Sequence, residues 1–216
     1  MDNDRMRQMV LDAVGPRGLL RHPFYRRWEA GELGPAELSG YAEQYRHVEA
    51  ALPDVLETIA DGLTDGRPKT LVEENLRDER SVPVAHLFMF DAFAARVGAR
   101  QGVEAEPATA RLVGLQRKAA FHSPADGIAN LAAYECQAAE IAISKADGLR
   151  CHYGIDGLGT WFWDTHGALE ARHADWSIEA LCLLDVPSTE VADAVGRSAQ
   201  AWWEFLDERE SAASAA

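Results

Sequence analysis

Apolar side chains recur at helical spacing along most of the chain. Between residues 35 and 63 they fall three or four positions apart, which places them on one face of a helix: Leu38, Tyr41, Tyr45, Val48, Leu52, Val55 and Ile59. Similar spacing returns in later segments, and short stretches with Gly or Pro separate them. The pattern predicts seven helices, at about residues 35–63, 69–80, 84–98, 108–120, 124–154, 156–184 and 189–210.

The connections between these segments are short, and no convincing alternating β pattern occurs, which together predict an all-α bundle. Pro83 is expected to interrupt the helical pattern between the second and third segments. We find no internal repeat, linker or low-complexity tract. The chain is therefore predicted to form one domain over residues 1–210, and the small, polar SAASAA at 211–216 is predicted to be a disordered tail.

Composition and charge exclude several classes of protein. The chain has 35 acidic and 21 basic residues and a net charge of −14, which argues against a partner of nucleic acid or anionic membrane. Its three cysteines have no CxxC spacing, so neither a disulfide framework nor a zinc knuckle is indicated. A signal peptide and a long apolar run are both missing from the pattern, and we expect a cytoplasmic protein.

One short segment combines three groups that bind metals. HGALEARH, residues 166–173, places His166, Glu170 and His173 at positions i, i+4 and i+7. Because a helix advances about 100° per residue, these offsets fall about 40° and −20° from the first side chain, so all three share a narrow strip. The order differs from the HExxH of zinc proteases. Alone, the strip fits a solvated polar face equally well.

Two other places carry candidate ligands. Glu79 and His86 are seven residues apart, two helical turns along one face, although Pro83 lies between them. Glu135 lies in NLAAYECQAAEIAI, where apolar residues surround it on nearly every side. A buried lone carboxylate is costly unless it is paired or binds a metal.

Together these positions supply three glutamates and three histidines. Helical bundles build dinuclear carboxylate sites from such residues on facing helices. Mixed nitrogen and oxygen ligands favour iron or manganese over calcium or magnesium. We therefore predict a site for two metal ions.

The pattern Glu-x6-His, then Glu, then His-x3-acid-x2-His resembles that of the heme-oxygenase-like dimetal oxidases, which share a seven-helix fold with the TenA thiaminases and pyrroloquinoline-quinone synthase. The similarity covers most of the chain, since HPFYRRWEAGELGPAELSGYAEQY, NLRDERSVPVAH and AAYECQAAEIAISKADGL match the family's segments in order. The resemblance implies that all six residues are metal ligands. It also implies two iron ions or an Fe/Mn pair, O2 as co-substrate, an external reductant and a homodimer.

Within that family the sequence is most similar to the group of the chlamydial protein associating with death domains, which is implicated in making para-aminobenzoate for folate from one of its own tyrosines. The resemblance implies that Tyr25, in HPFYRRW, is consumed and that Lys145, ten residues after Glu135, gives the nitrogen. Tyr134 also matches a family tyrosine. Phe162 stands where that group has another tyrosine, a departure that could remove a redox relay.

Several functions stay open on the sequence alone. The chain fits a self-consuming synthase, or a dimetal oxidase for an external small substrate such as an amino acid or fatty acid. It also fits a metal-free TenA-like hydrolase with Cys136 as nucleophile, or a non-catalytic binding protein. Lys145 lies about 15 Å along an ideal helix from Glu135 and about 80° round it, so it equally fits a snorkelling lysine near a helix end. Four aromatic residues are candidates for pocket lining or plain core: Tyr41, Tyr45, Trp161 and Phe162.

Overall fold

The computed structural model describes residues 1–81 and 84–213, so the predicted interruption at Pro83 lies outside the described residues. Within these ranges the chain forms α-helices, short 3-10 turns and no strand. The helices are α1 (Asn3–Val14), α2 (Pro23–Ala30), α3 (Pro35–Gly62), α4 (Arg67–Ser81), α5 (His86–Arg96), α6 (Pro107–His122), α7 (Pro124–Tyr153), α8 (Trp161–Leu183) and α9 (Ser188–Ala213).

The all-α prediction is confirmed, and the seven predicted helices correspond to α3 through α9. Two further helices, α1 and α2, precede them. Helix α1 buries only Met6, Val10 and Val14, and α2 is eight residues long, so neither carries a long apolar pattern. At the other end, α9 extends to Ala213, and residues 214–216 lie outside the described part of the chain.

Capping residues fix where the main helices begin. Pro35 starts α3, and the Glu37 carboxylate accepts a hydrogen bond from the backbone N–H of Gly34 at 2.8 Å. Ser123 caps α7 by accepting a hydrogen bond from the N–H of Asp126 at 3.1 Å. These local signals set the first residues of α3 and α7, the two longest helices among the described residues.

Helix α7 is the centre of the bundle and packs against α6, α8 and α9, while α4 lies against α3 and α8. Two apolar clusters fill the interior. One is rich in aromatic rings and includes Trp28, Tyr41 and Trp163. The other is mostly aliphatic and includes Ile59 and Ile128. Among the described residues, every helix is too short or too polar to cross a membrane.

The close approach of α2 to α7 depends on Gly148. A Cβ atom at this position would lie 2.8 Å from Cδ1 of Trp28, closer than packed atoms approach. The indole Nε1 of Trp28 donates a hydrogen bond to the backbone oxygen of Lys145 at 3.2 Å. Glycine at 148 therefore lets a large ring sit directly beside Lys145.

Candidate metal centre

A small cavity of about 30 Å³ lies inside the bundle. Five of the six predicted ligands line it: Glu79, Glu135, His166, Glu170 and His173. Tyr45, Glu49 and Tyr134 line it as well. All six predicted ligands are at least nine-tenths buried, and His86, the sixth, is fully buried next to Glu79. The structure thus brings the six residues into one region.

Glu79, His86 and His166 form the tightest group, since each offers one ligand atom within 4.8 Å of the others. Glu79 comes from the end of α4, and His86 is the first residue of α5. Nδ1 of His86 lies 2.9 Å from Oε2 of Glu79. The two side chains are therefore brought together by consecutive helices rather than by one continuous helical face.

The strip on α8 faces the same cavity. Nε2 of His166 lies 3.7 Å from Oε1 of Glu170, and Nδ1 of His173 lies 3.7 Å from Oε2 of Glu170. Nδ1 of His173 is also 3.9 Å from Oε1 of Glu79. The predicted i, i+4, i+7 geometry therefore connects α8 to the Glu79 group.

Neighbouring groups orient both α8 histidines. Nδ1 of His166 is 2.8 Å from the backbone oxygen of Phe162, so Nδ1–H donates there and Nε2 remains free. Nε2 of His173 is 3.3 Å from Oδ2 of Asp78, which also accepts a 2.6 Å hydrogen bond from Arg172. With Nε2 engaged by this carboxylate, Nδ1 of His173 is the nitrogen presented to the cavity.

Glu135 has two protein partners. Asn75 Nδ2 donates to Oε1 at 3.0 Å, and the Ser177 hydroxyl donates to Oε2 at 2.5 Å. Each carboxylate oxygen has two lone pairs, so both oxygens retain one for another partner. The sequence suggested a need for such a partner but gave no sign of Asn75 or Ser177.

The ionisation of these groups reflects burial and their own charges. Burial lowers the pKa of His166 to about 3 against the attraction of Glu79, so the ring is neutral at pH 7. Burial also acts to lower the pKa of His173, but the nearby carboxylates, above all Glu170, outweigh it and raise the pKa to about 9. Burial, together with repulsion from Glu170, raises the pKa of Glu135 to about 7. A cation in the cavity would favour charged carboxylates and displace the proton of His173.

Several buried atoms here lack hydrogen bonds. Both ring nitrogens of His86 are unpartnered, because the contact with Glu79 does not have hydrogen-bond geometry. Oε2 of Glu170 is unpartnered as well. Buried polar atoms normally find partners. Imidazole nitrogens and carboxylate oxygens left free around one cavity fit metal ions of the iron and manganese type.

A second polar group lies inside the aromatic cluster. Lys145 is only 2% exposed, and its Nζ lies 2.5 Å from the hydroxyl of Tyr41. Five ring centroids, here called the aromatic cage, surround this nitrogen at 4.2 to 5.8 Å: Tyr25, Trp28, Tyr41, Tyr45 and Trp163. The alternative of a snorkelling lysine is therefore wrong, because the amine points into the core and not to solvent.

Burial lowers the pKa of Lys145 well below its usual value, and the attraction of Glu49 opposes this only partly. Tyr25 is 2% exposed, and burial raises its pKa, so the phenol keeps its proton. Its hydroxyl lies 3.0 Å from that of Tyr41. Tyr134 is held separately, with its hydroxyl 2.9 Å from that of Tyr45, at the cavity wall.

The remaining candidate residues lie in different parts of the protein. The ring of Phe162 lies against that of His166, with centroids 3.9 Å apart and planes tilted by 32°. Trp161 instead contacts Phe88, which is 63% exposed, at the surface. Cys136 is half-buried near Arg7, outside the set of cavity residues, and burial raises the pKa of its thiol to about 12. A nucleophilic cysteine for a TenA-like hydrolase is therefore not provided at this position.

Comparisons with known proteins identify the family of this chain. The profile of a family described as "Iron-containing redox enzyme" matches residues 39–206. A protein of Nitrosomonas europaea named 4-aminobenzoate synthase is 32% identical over 225 residues, covering 96% of this chain and 92% of the relative. One of Chlamydia muridarum with the same name is 30% identical, covering 91% of this chain and 87% of the relative.

Among solved structures, a domain of unknown function with a heme oxygenase-like fold from Shewanella denitrificans superposes with a TM-score of 0.81. It shares 15% identity and covers 99% of this chain and 94% of that chain. At this identity the likeness concerns the fold alone, and it confirms the heme-oxygenase-like bundle.

Proposed function

Because the chain belongs to the family of iron-containing redox enzymes, we propose that it is a dimetal oxidase that makes 4-aminobenzoate from its own side chains. In this proposal Tyr25 supplies the ring and Lys145 supplies the nitrogen. The observation that carries it is the contact between these two residues, with Nζ of Lys145 4.4 Å from the centroid of the Tyr25 ring. The names of the relatives support the same product.

The residues that would hold two iron ions, or an Fe/Mn pair, are Glu79, His86, Glu135, His166, Glu170 and His173. The unpartnered ring nitrogens of His86 and the unpartnered Oε2 of Glu170 support this assignment, as does the position of five of the six residues around one cavity. When bound, the metals would supply the redox chemistry with O2, and an external reductant would restore them. The chain's own part is to hold neutral imidazoles and to exclude bulk water.

Tyrosine and 4-aminobenzoate share a benzene ring with two substituents opposite each other. Conversion therefore replaces the phenol oxygen of Tyr25 by nitrogen, and that oxygen leaves as water. One O2 would oxidise Cβ to the carboxyl carbon as the Cα–Cβ bond breaks, which leaves a glycyl residue at position 25. Transfer of nitrogen from Lys145 also breaks its Cε–Nζ bond, and Cε would take up a hydroxyl group from water. Each chain could carry out this conversion once, because both side chains are consumed.

The state of Lys145 suits a nitrogen donor. A neutral amine has a free lone pair, and burial favours that form by lowering its pKa. The hydroxyl of Tyr41 contacts both the amine, at 2.5 Å, and the hydroxyl of Tyr25, at 3.0 Å. Tyr41 therefore holds donor and acceptor together without being consumed.

The cavity size disfavours the alternative of an external substrate. A volume of about 30 Å³ holds about two water molecules. An amino acid or fatty acid needs far more room beside the metal residues. Side chains already buried in the protein need none, which favours Tyr25 and Lys145 as the source.

The experiment is a single turnover without added substrate. Metal-free protein is loaded anaerobically with Fe(II), or with Fe(II) and Mn(II), the metal is counted, and O2 is added with a reductant. We expect two ions per chain, no more than one 4-aminobenzoate per chain, and an intact mass lower by the lost atoms. Repeated turnovers, or product formed with no change in mass, would show that the source lies outside the chain.

A further inference from the structure

Glu49 is a buried carboxylate that the sequence pattern did not single out. It follows Tyr41 and Tyr45 on α3 at intervals of four residues, so the three side chains share one face of the helix. Tyr41 faces Lys145, whereas Glu49 lines the metal cavity together with Glu79, Glu135 and Glu170. One face of α3 thus connects the aromatic cage to the metal residues.

The surroundings of Glu49 give it too few partners. The residue is 5% exposed, and its Oε2 makes no hydrogen bond. Within residues 1–81 and 84–213, no lysine, arginine or histidine forms an ion pair with it. Glu43 on the same helix is also buried but accepts three hydrogen bonds from Arg100.

Burial and the neighbouring carboxylates disfavour the charged form of Glu49. Burial raises its pKa well above the usual value, and the carboxylates of Glu79 and Glu170 raise it further. The hydroxyl of Tyr45 and the more distant Lys145 oppose this weakly. A buried carboxylate among other carboxylates is tolerated when a cation compensates it.

We infer that Glu49 is a further protein ligand of the metal site, a fourth carboxylate beside Glu79, Glu135 and Glu170. The inference rests on the proposed function, since it needs metal ions in the cavity. Four carboxylates balance the charge of two divalent ions. The site would then hold its metals in a neutral group inside the apolar core.

The test is metal binding, not activity. Metal-free wild type, Glu49→Gln and Glu43→Gln are titrated anaerobically with Fe(II), and the bound ions are counted after desalting. We expect wild type and Glu43→Gln to retain two ions per chain. Glu49→Gln should bind one ion at least tenfold more weakly and lose it on desalting.

Thermal unfolding separates this role from a structural one. Without metal, Glu49→Gln should be at least as stable as wild type, because a buried carboxylate has been removed, and its rise in melting temperature on adding Fe(II) should be smaller. Glu43→Gln should lower the melting temperature with and without metal, because Arg100 loses its partner. Glu49→Leu repeats the test without any oxygen ligand.

The outcomes that overturn the inference are distinct. If Glu49→Gln retains two ions with wild-type affinity, Glu49 is not a ligand, while the proposed function stands. If Glu49→Gln and Glu49→Leu both fail to fold without metal, Glu49 is structural and the inference fails. If wild type itself binds no metal, the proposed dimetal site fails first.

Discussion

Nζ of Lys145 lies 4.4 Å from the centroid of the Tyr25 ring, in a region shielded from solvent. The two residues come from α7 and α2, and the ring of Trp28 beside Gly148 closes the space around them. A buried lysine with no carboxylate in contact is unfavourable as a cation. The arrangement is therefore suited to a reactive amine and not to an ion pair.

Replacing Lys145 with methionine tests the nitrogen donor. Lys145→Met keeps a long side chain but removes the amine, so we expect no 4-aminobenzoate after addition of O2 to metal-loaded protein. Stability should change by about 1 kcal/mol or less, because the lost contact with Tyr41 is offset by removing a buried amine. Product is measured by mass spectrometry, and urea unfolding measures stability. Lys118→Met, at an exposed lysine, is the control; equal product from both variants would exclude Lys145 as donor.

Tyr25 and Tyr41 are hydrogen-bonded to each other, so replacing each one with phenylalanine gives two variants that lose the same hydrogen bond. Tyr25→Phe removes the phenol oxygen that nitrogen must replace and should abolish the product. Tyr41→Phe should lower the yield without abolishing it, because the ring source and the amine remain. Each change costs about 1 kcal/mol of stability through the lost hydrogen bond. Full activity of Tyr25→Phe, or complete loss confined to Tyr41→Phe, contradicts the assignment.

Asp78 positions His173, and its removal tests that role. Asp78→Asn weakens the partner at Nε2, so we expect Fe(II) affinity to fall about tenfold or more. Asp175→Asn, at an exposed position on α8 two residues after His173, loses a surface ion pair with Arg7 and should bind metal normally. Anaerobic titration of the two variants measures the difference, and matching affinities would mean that Asp78 does not orient the ring.

His22 predicts a pH dependence of stability. Its Nδ1 accepts a hydrogen bond from the N–H of Phe24 at 3.1 Å, and burial lowers its pKa despite the nearby Asp207. The unfolded chain therefore binds a proton that the folded chain resists, and stability falls as pH drops below about 6.5. The loss of stability on acidification should therefore be larger for metal-free wild type than for a variant that lacks this imidazole.

His22→Asn provides the comparison, because asparagine can cap α2 but does not titrate. Urea unfolding of metal-free protein at pH 7.5 and 5.5 should show a smaller loss for the variant. Contributions of the cavity residues cancel in the difference, since both proteins contain them. An equal loss in the two proteins would mean that His22 does not resist protonation.

The helical pattern predicted most of the fold because α3 to α9 bury long apolar faces. It did not predict α1 and α2, whose buried faces are one or two turns long and whose stability comes from packing on α7 and α9. Helical geometry alone also brought His166, Glu170 and His173 onto one strip. The approach of Glu79 to His86 depends on the junction of two helices, which no single-helix argument describes.

The sequence pattern indicated the burial of Lys145 and Glu49 only weakly. Lys145 lies among Ile141, Ala142, Ala146 and Leu149, so the local apolar pattern was consistent with a core position. Glu49 followed the face of Tyr41 and Tyr45, but a glutamate on a 28-residue helix is not unusual. Asn75 and Ser177 reach Glu135 only through tertiary packing, so their spacing in the sequence does not predict these contacts.

The most direct test of the central claim is isotope transfer from the protein to its product. The protein is prepared with ring-¹³C-tyrosine and ε-¹⁵N-lysine, loaded with metal, and exposed to O2 and reductant in unlabelled buffer. We predict that the released 4-aminobenzoate carries both labels and that peptide mapping finds the loss at Tyr25 and Lys145. An unlabelled product, or labels lost from other positions, would contradict the account.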